Sequence, residues 1–351
     1  MLWVLDNTCA IVGTVENMMS IIWTQQFYGP GDFEIKMPCT PEAVQLLTVG
    51  RILCRDTDRA GDHFGNCMII RKVAIRYEIG AGYIMTVTGR GLKDILRQRV
   101  IWQQWTQFDC KADVAITEMV LRNCGAVGPR EFPGLHIPTP AGFAAEGQFQ
   151  VFGQNLAEWI EAVAREFEIG WDIYIEDGGL WFDLSQGTNR TRGQSTVPPV
   201  VFSPGFDNLL ECEYTLTRED YTNAALIGGE GEGTAKTVAD IGTAEDFARY
   251  ELYVDGSGVS SNGSIITAEE YEDLLKQYGQ TALEEQQPAE TFTATIDPAK
   301  PYKMGVDYFL GDILEVETGY NITATGRLVE IIESEDQTGK QATATFEKWE
   351  V

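Results

Sequence analysis

Histidine is almost missing. His63 and His136 are the only two in the chain, which argues against His-based catalysis and against a His-rich metal centre. No apolar run approaches the roughly 18–20 residues of a membrane-spanning helix. The opening segment Met1-Leu2-Trp3-Val4-Leu5-Asp6 has neither the basic region nor the cleavage site of a secretory signal. The seven cysteines, at 9, 39, 54, 67, 110, 124 and 212, are odd in number and contain no C-x-x-C pair. Cys9, Cys54 and Cys67 lie in apolar surroundings and read as small buried hydrophobes, and the set implies a reducing compartment without structural disulfides or a thiol metal site. Basic residues are scarce too: 26 Lys and Arg stand against 53 Asp and Glu, a net charge of −27.

The deficit is local. Residues 1–130 hold 14 basic and 13 acidic side chains; residues 131–351 hold 12 and 40. Such an acidic segment repels polyphosphate, which excludes basic-patch nucleic-acid binding. Two readings remain open: a heavily hydrated surface, or a wall past which DNA slides without sticking. With 351 residues, 44% of them hydrophobic and 23% charged, the chain has the material for two or three ordinary folded domains.

Residues 1–90 are strand-rich. Ser20–Thr24 and Phe33–Met37 flank Gly29-Pro30-Gly31 as a hairpin, and Cys67–Arg76 with Tyr83–Thr88 form a second. Pro41–Leu47 reads as a short helix, Gly89-Arg90-Gly91 as a strand break, and Leu92–Val100 as a helical stripe. A helix over Asp113–Asn123 stops at Gly125. Pro129–Gly147 is an irregular connection. Asn155 caps a helix carrying Trp159, Ile160, Val163 and Phe167, with Gly170 as its left-handed stop. Trp171–Ile175 and Leu180–Leu184 pair across Asp177-Gly178-Gly179, giving a compact α/β module, and a loop follows over Gln186–Pro199.

Strands return at Glu211–Thr217, Tyr221–Ile227 and Tyr250–Val254. Thr267-Ala268-Glu269-Glu270 is a capping box starting a helix through Lys276, with a second stretch at Thr281–Gln287 stopped by Pro288. Gly311–Glu317, Ile322–Glu333 and Gln341–Glu347 complete the β-rich tail. The two ends echo each other. Gly31-Asp32-Phe33 resembles Gly311-Asp312-Ile313, and the 68–88 hairpin resembles the 328–346 hairpin. Two half-barrels of similar plan and a chance likeness of two meanders both account for this.

The chemistry-bearing patterns are weak. Gly228-Gly229-Glu230-Gly231-Glu232-Gly233 resembles a phosphate loop, but Ala235 precedes Lys236-Thr237, and two glutamates would repel the anion. Asp56–Asp62 begins like a calcium loop, yet Ala60 and Cys67 occupy positions that need oxygen ligands. Glu176 and Asp177, beside Trp171 and Trp181, form the most tempting carboxylate pair for glycoside hydrolysis, but adjacent acids in a tight turn point outward. No G-x-S-x-G elbow occurs. A cell-wall hydrolase using Glu176 and Asp177, and a carbohydrate-binding adhesin using Trp159, Trp171 or Trp181, are the alternatives to a structural protein.

Trp23, Phe27, Gly31, Phe33 and Glu34 fit the pattern W-x-x-x-[FY]-x-x-x-G-x-F-E. With Thr88–Leu92, Asn223–Gly233, Arg249–Asp255 and Tyr308–Asp312, in that order over some 300 residues, the chain resembles siphophage tail-hub proteins of the ReqiPepy type. Gln25-Gln26, where a basic residue is common, and Gly256-Ser257 depart from the pattern. The resemblance implies a mainly β, α+β chain: a tube-like β-barrel domain at 1–98, an inserted α/β domain at 99–199, and a second tube-like barrel at 200–351 with a short helical excursion near 267–287. It implies a non-enzymatic baseplate hub without cofactor or metal, a homotrimeric ring in the virion tail, assembled in the host bacterial cytoplasm and without membrane contact. Its implied partners are a distal tail protein or tail tube ring, the tape measure protein and a tail fibre or tip protein, with DNA passing through without specific binding. Trp23, Phe27, Tyr28 and Arg90 are candidate interaction residues, the three aromatics having barrel-core roles as the alternative. Glu230 and Glu232 are candidate acidic lumen residues.

Overall fold

Alternation of apolar and polar residues at period two builds the largest element of the chain. The computed structural model describes all residues except 81, 126–127, 264, 287–288, 298–299, 318–322 and 349–351. Eight strands carry the argument: β1 (Ser20–Gln26), β2 (Asp32–Pro38), β3 (Met68–Glu78), β4 (Gly82–Gly91), β5 (Leu209–Thr217), β6 (Ala289–Ile296), β7 (Thr323–Asp336) and β8 (Gly339–Lys348). Their spatial order is β5-β6-β8-β7-β1-β2-β4-β3, antiparallel at every step. The halves from the two chain ends join where β7 pairs β1, from Glu330 opposite Gln26 to Glu335 opposite Ile21.

The expectation of two tube-like barrels is corrected in one respect. The strands form a single open sheet of 13 strands, and no closed barrel occurs among the described residues. The start of β7 pairs with the strand Ile313–Glu317; after a bulge between Leu328 and Glu330 the same edge pairs with β1. That edge therefore joins the halves instead of closing the second one. Each half nevertheless buries its own core. Trp23, Phe33, Ile35, Met85 and Val87 meet Leu2, Val4 and Leu53 in the first. Phe202, Leu314, Phe292, Ala344 and Phe346 meet in the second.

Between the halves lies an α/β unit with helices α1 (Ala112–Val120) and α2 (Leu156–Glu166) and the hairpin Gly170–Glu176/Gly179–Ser185. Its sheet recruits two short strands from before position 98, Arg59–Ala60 and His63–Phe64. One core runs across that position, uniting Leu5, Cys54 and Leu96 with Ile116, Ile160 and Trp171. The Asn155 side chain accepts from Ala157 N at 3.1 Å and Glu158 N at 3.4 Å, the expected cap. The left-handed residue after α2 is Glu168 (φ 53°), not Gly170, which already begins the hairpin. Leu92–Gln98 is 3-10 helical, not α, and α1 ends in a π turn over Leu121–Gly125.

The excursion inside the second half is larger than expected. Strands Ala224–Gly228, Val238–Ile241 and Glu251–Asp255 make a separate sheet covered by α3 (Ala268–Glu284), whose Thr267–Glu270 capping box is formed. The two helical stretches are one helix. Gly279, between them, lies in α3 where Ile227 packs: a Cβ would sit 2.6 Å from Ile227 Cδ1. The proposed stop at Gln287 and Pro288, and the start of the tail strand at Ile322, lie outside the described residues. Gly89 and Gly91 belong to β4 itself, where an added Cβ would meet Ile69 O at 2.0 Å and Pro30 O at 1.8 Å.

Candidate functional site

Residues facing each other across an antiparallel ladder share a face of the sheet. One face of the eight-strand run carries Trp23, Phe33, Ile35, Met85, Val87, Phe292, Ala344 and Phe346 into the two cores. The other face can be read off by register. Glu211, Thr295, Thr343, Ile332, Thr24 and Asp32 form one row across six strands. Glu213, Thr293, Thr345, Glu330 and Gln26 form the next, with Gln26 Nε2 donating to Glu330 Oε2 at 2.6 Å. Ser334, Ile22, Glu34, Thr88 and Lys72 form a third. The result is a broad polar face across both halves, rich in threonine and carboxylate in the second and carrying Lys36, Lys72, Arg76 and Arg90 beside Asp32 and Glu34 in the first.

The three parts of the chain are locked at one corner. The Phe27 ring lies against Gly170 of the middle unit and Gly311 of the second half, where a Cβ would come within 2.0 and 2.1 Å of it. Trp171 Nε1 donates to Tyr28 O at 2.5 Å. Lys93 Nζ, buried, donates to Gln26 O at 2.8 Å and Trp171 O at 2.9 Å and lies 5.0 Å from the Trp171 ring centre. Burial pushes its pKa down to about 8, against the opposing pull of Asp172 and Glu161. Arg327, also buried, donates to Gln186 O and Gly311 O and pairs with Glu168 at 2.7 Å. A cleft of about 650 Å³ opens beside this corner, lined among others by Arg55, Asp58, Lys93, Asp172 and Glu333. Three of these charges are paired with one another: Arg55 bridges Asp58 at 2.6 Å and Glu333 at 2.5 Å.

Trp23, Phe27 and Tyr28 are buried within the chain. Trp23 belongs to the first-half core; Phe27 and Tyr28 belong to the core of the middle unit. Arg90 is exposed at the end of β4, opposite Asp32. Glu230 and Glu232 follow the strand Ala224–Gly228 in the three-stranded excursion of the second half, off the large sheet. The Glu230 carboxylate accepts from Ser261 Oγ (2.7 Å), Ser261 N (3.0 Å) and Ser260 Oγ (2.9 Å), which lowers its pKa. The glycine run beside it packs on α3: a Cβ on Gly229 would sit 2.6 Å from the Tyr271 hydroxyl.

Asp177 occupies a left-handed turn (φ 50°) at the tip of its hairpin, exposed, with Glu176 beside it. Trp159 and Trp171 are core residues, while Trp181 is half-buried and stacked on His136 at 4.4 Å. Asp56 and Asp58 of the calcium-like stretch accept from Trp3 Nε1 and Arg55. Among the described residues, no group of three or more His, Cys, Asp or Glu side chains is placed to hold a metal ion. Sequence reasoning did not assemble the polar wall, although its signal is visible: Glu211-x-Glu213-x-Thr215 and Thr343-x-Thr345-x-Glu347 repeat polar residues at period two.

A family model described as siphovirus ReqiPepy6 Gp37-like protein matches residues 1–346. No curated protein matches the sequence. The fold is shared with the 43 kDa tail protein of prophage MuSo2 from Shewanella oneidensis, at 13% identity and TM-score 0.61, over 99% of this chain and 98% of that one. It is shared also with a tail protein from Neisseria meningitidis MC58, at 13% identity and TM-score 0.58, over 99% and 96%. A chain in the PdpA-VgrG complex of Francisella matches at 7% identity and TM-score 0.51, over 99% and 57%. The chain belongs to the siphovirus ReqiPepy6 Gp37-like family of tail proteins.

Proposed function

We propose that this phage tail protein is the hub ring at the distal end of the tail, with three copies arranged head to tail around a passage for DNA. The observation that carries the reading is the continuous polar face of the eight-strand run. Its opposite face is consumed by two cores; α2 and α3 stand over the polar face at Gln26, Glu330, Thr345 and Glu347, and the remainder, with Glu211, Glu213, Glu34 and Thr343, is the part open to line a channel. Size supports the number of copies. Eight strands per copy, about 4.8 Å apart, give three copies a backbone diameter of roughly 37 Å before strand tilt. Inward side chains then leave roughly 25 Å, enough for a duplex about 20 Å across, whereas two copies leave roughly 13 Å.

In this reading residues 1–98 and 200–351 are two tube-like halves, 99–199 an inserted unit at their junction, and each ring presents six half-sheets to the tube above. A distal tail protein or tube ring would dock on one rim and a fibre or tip protein on the other, and the tape measure protein would occupy the passage before ejection. Asp32, Glu34, Glu211, Glu213 and Glu330 outnumber the cations Lys36, Lys72, Arg76 and Arg90 on the same face, which weakens the counterion release that would hold a passing polyanion. The role is architectural and needs no catalytic group: the Glu176 and Asp177 pair sits at an exposed hairpin tip, and two of the three candidate sugar-stacking tryptophans are core.

Native mass spectrometry tests the ring: a species of three times 39.0 kDa is expected, and a chain that stays monomeric or forms only dimers overturns it. Zymography on peptidoglycan tests the enzyme alternative. No clearing is expected, and clearing lost in Glu176→Gln would establish a hydrolase.

A further inference from the structure

Two edges of the large sheet end with core-facing residues in solvent. Along β3, the row that faces the first core continues past its last covering strand. Val73 lies opposite the buried Val87 and Ile75 opposite the buried Met85, and Tyr77 follows opposite Tyr83. Ile75 is 49% exposed and Tyr77 60%. The neighbouring strand Ile52–Arg55 pairs only with the start of β3, so Lys72–Glu78 has no strand partner on that side among the described residues. At the far end of the run, β5 is the other edge. Its Cys212 lies opposite buried Ala294 and its Tyr214 opposite buried Phe292, and both are exposed.

We propose that these two edges pair with each other between copies of this chain: β3 of one copy adds antiparallel to β5 of the next. This rests on the ring reading above and names its seam. Three independent features converge on it. The first is strand direction. Eight strands alternate without exception, so β3 and β5 run in opposite directions, and rotation about a ring axis preserves that relation; their union continues the alternation.

The second is facial match. Placing the row Val73, Ile75, Tyr77 beside Cys212 and Tyr214 covers both open core ends, while Lys72 and Arg76 come beside Glu211 and Glu213 on the polar side. The third is that the chain already makes this joint once. The β7/β8 and β3/β4 hairpins share a plan: each long strand pairs at its start with a short strand, carries a bulge (Leu328/Glu330 and Ile70/Lys72), and then presents a further edge. In β7 that further edge binds β1. In β3 the equivalent edge is vacant, and β5 holds the place in the second half that β1 holds in the first.

Cys212 makes the seam directly testable in the full-length protein. Val73→Cys, Ile75→Cys and Tyr77→Cys are each oxidised with copper-phenanthroline, and Ala74→Cys, on the opposite face, serves as control. Disulfide-linked dimers and trimers are expected from at least one of the three, abolished by adding Cys212→Ser and absent from Ala74→Cys. A second arm needs no thiol. Lys72→Glu with Arg76→Glu should weaken association at least tenfold, and Glu211→Lys with Glu213→Lys on the same chain should restore it. A native trimer that neither cross-links nor responds to the charge exchange overturns this seam and leaves the ring intact. A monomer under the same conditions overturns both.

Discussion

Phe27 shows how much of this architecture hangs on single side chains. Full burial of a phenylalanine contributes on the order of 2–3 kcal/mol, and this one is held only because glycines stand at 170 and 311. Gly311 also has φ +85°. Gly311→Ala therefore adds a methyl into the ring and a left-handed penalty together, with an expected loss of about 2–4 kcal/mol in urea unfolding. A change under about 0.5 kcal/mol would mean that Phe27 moves aside without cost. Glu166 carries a different dependence. Its carboxylate accepts from Thr281 Oγ at 2.7 Å and from Gln277, tying α2 to α3, and burial raises its pKa to about 7. A carboxyl raised above its unfolded value near 4.3 binds more protons folded than unfolded, so stability falls as pH rises from there through 7. Glu166→Gln should exceed the parent by on the order of 1–2 kcal/mol at pH 8 and by little at pH 4, screening having reduced the full shift. A constant difference across that range in thermal melts contradicts the assignment.

At the scale of elements, local signals served well where they were chemical and poorly where packing overrode them. The Asn155 cap, the Thr267–Glu270 box and the Asp177-Gly178 turn depend on side chains a few residues apart, and all three formed as read. Thr267→Ala should accordingly cost about 1 kcal/mol and speed amide exchange at Glu270, whose N–H the hydroxyl accepts at 3.2 Å; unchanged exchange there would refute the cap's contribution. The glycines were misread because their reasons are long-range. Gly89, Gly91 and Gly170 exist to admit a carbonyl or a side chain from elsewhere, not to end an element. The Gly-Asp echo was misleading for the same cause. Asp32 opens a strand inside the eight-strand run, whereas Ile313–Glu317 flanks it, in the position that Ile52–Arg55 holds in the first half. The hairpin echo joins equivalent strands. The polar wall escaped notice because its rows are made by register between strands up to some 300 residues apart, as with Glu330 and Gln26.

For the whole molecule, the sequence carried the family and the mainly β character, while the union of both halves in one open sheet emerged only in three dimensions. The acidic excess then acquires a location: part of it lies on the polar face through Glu211, Glu213 and Glu330. Thr343→Lys with Thr345→Lys would place cations on that wall. The parent ring should not retain duplex DNA at low salt, and the variant should, with affinity falling steeply as salt rises in proportion to the phosphates neutralised. Equal retention by both would remove the electrostatic part of the account. Its central claim concerns which side of the sheet looks inward, and an electron cryomicroscopy map of the assembled tail end answers that most directly. The account predicts a threefold ring whose bore is lined by Glu34, Glu211, Glu213 and Thr343, with the two cores behind them. A map with that face turned outward, or with no bore between the copies, would contradict it.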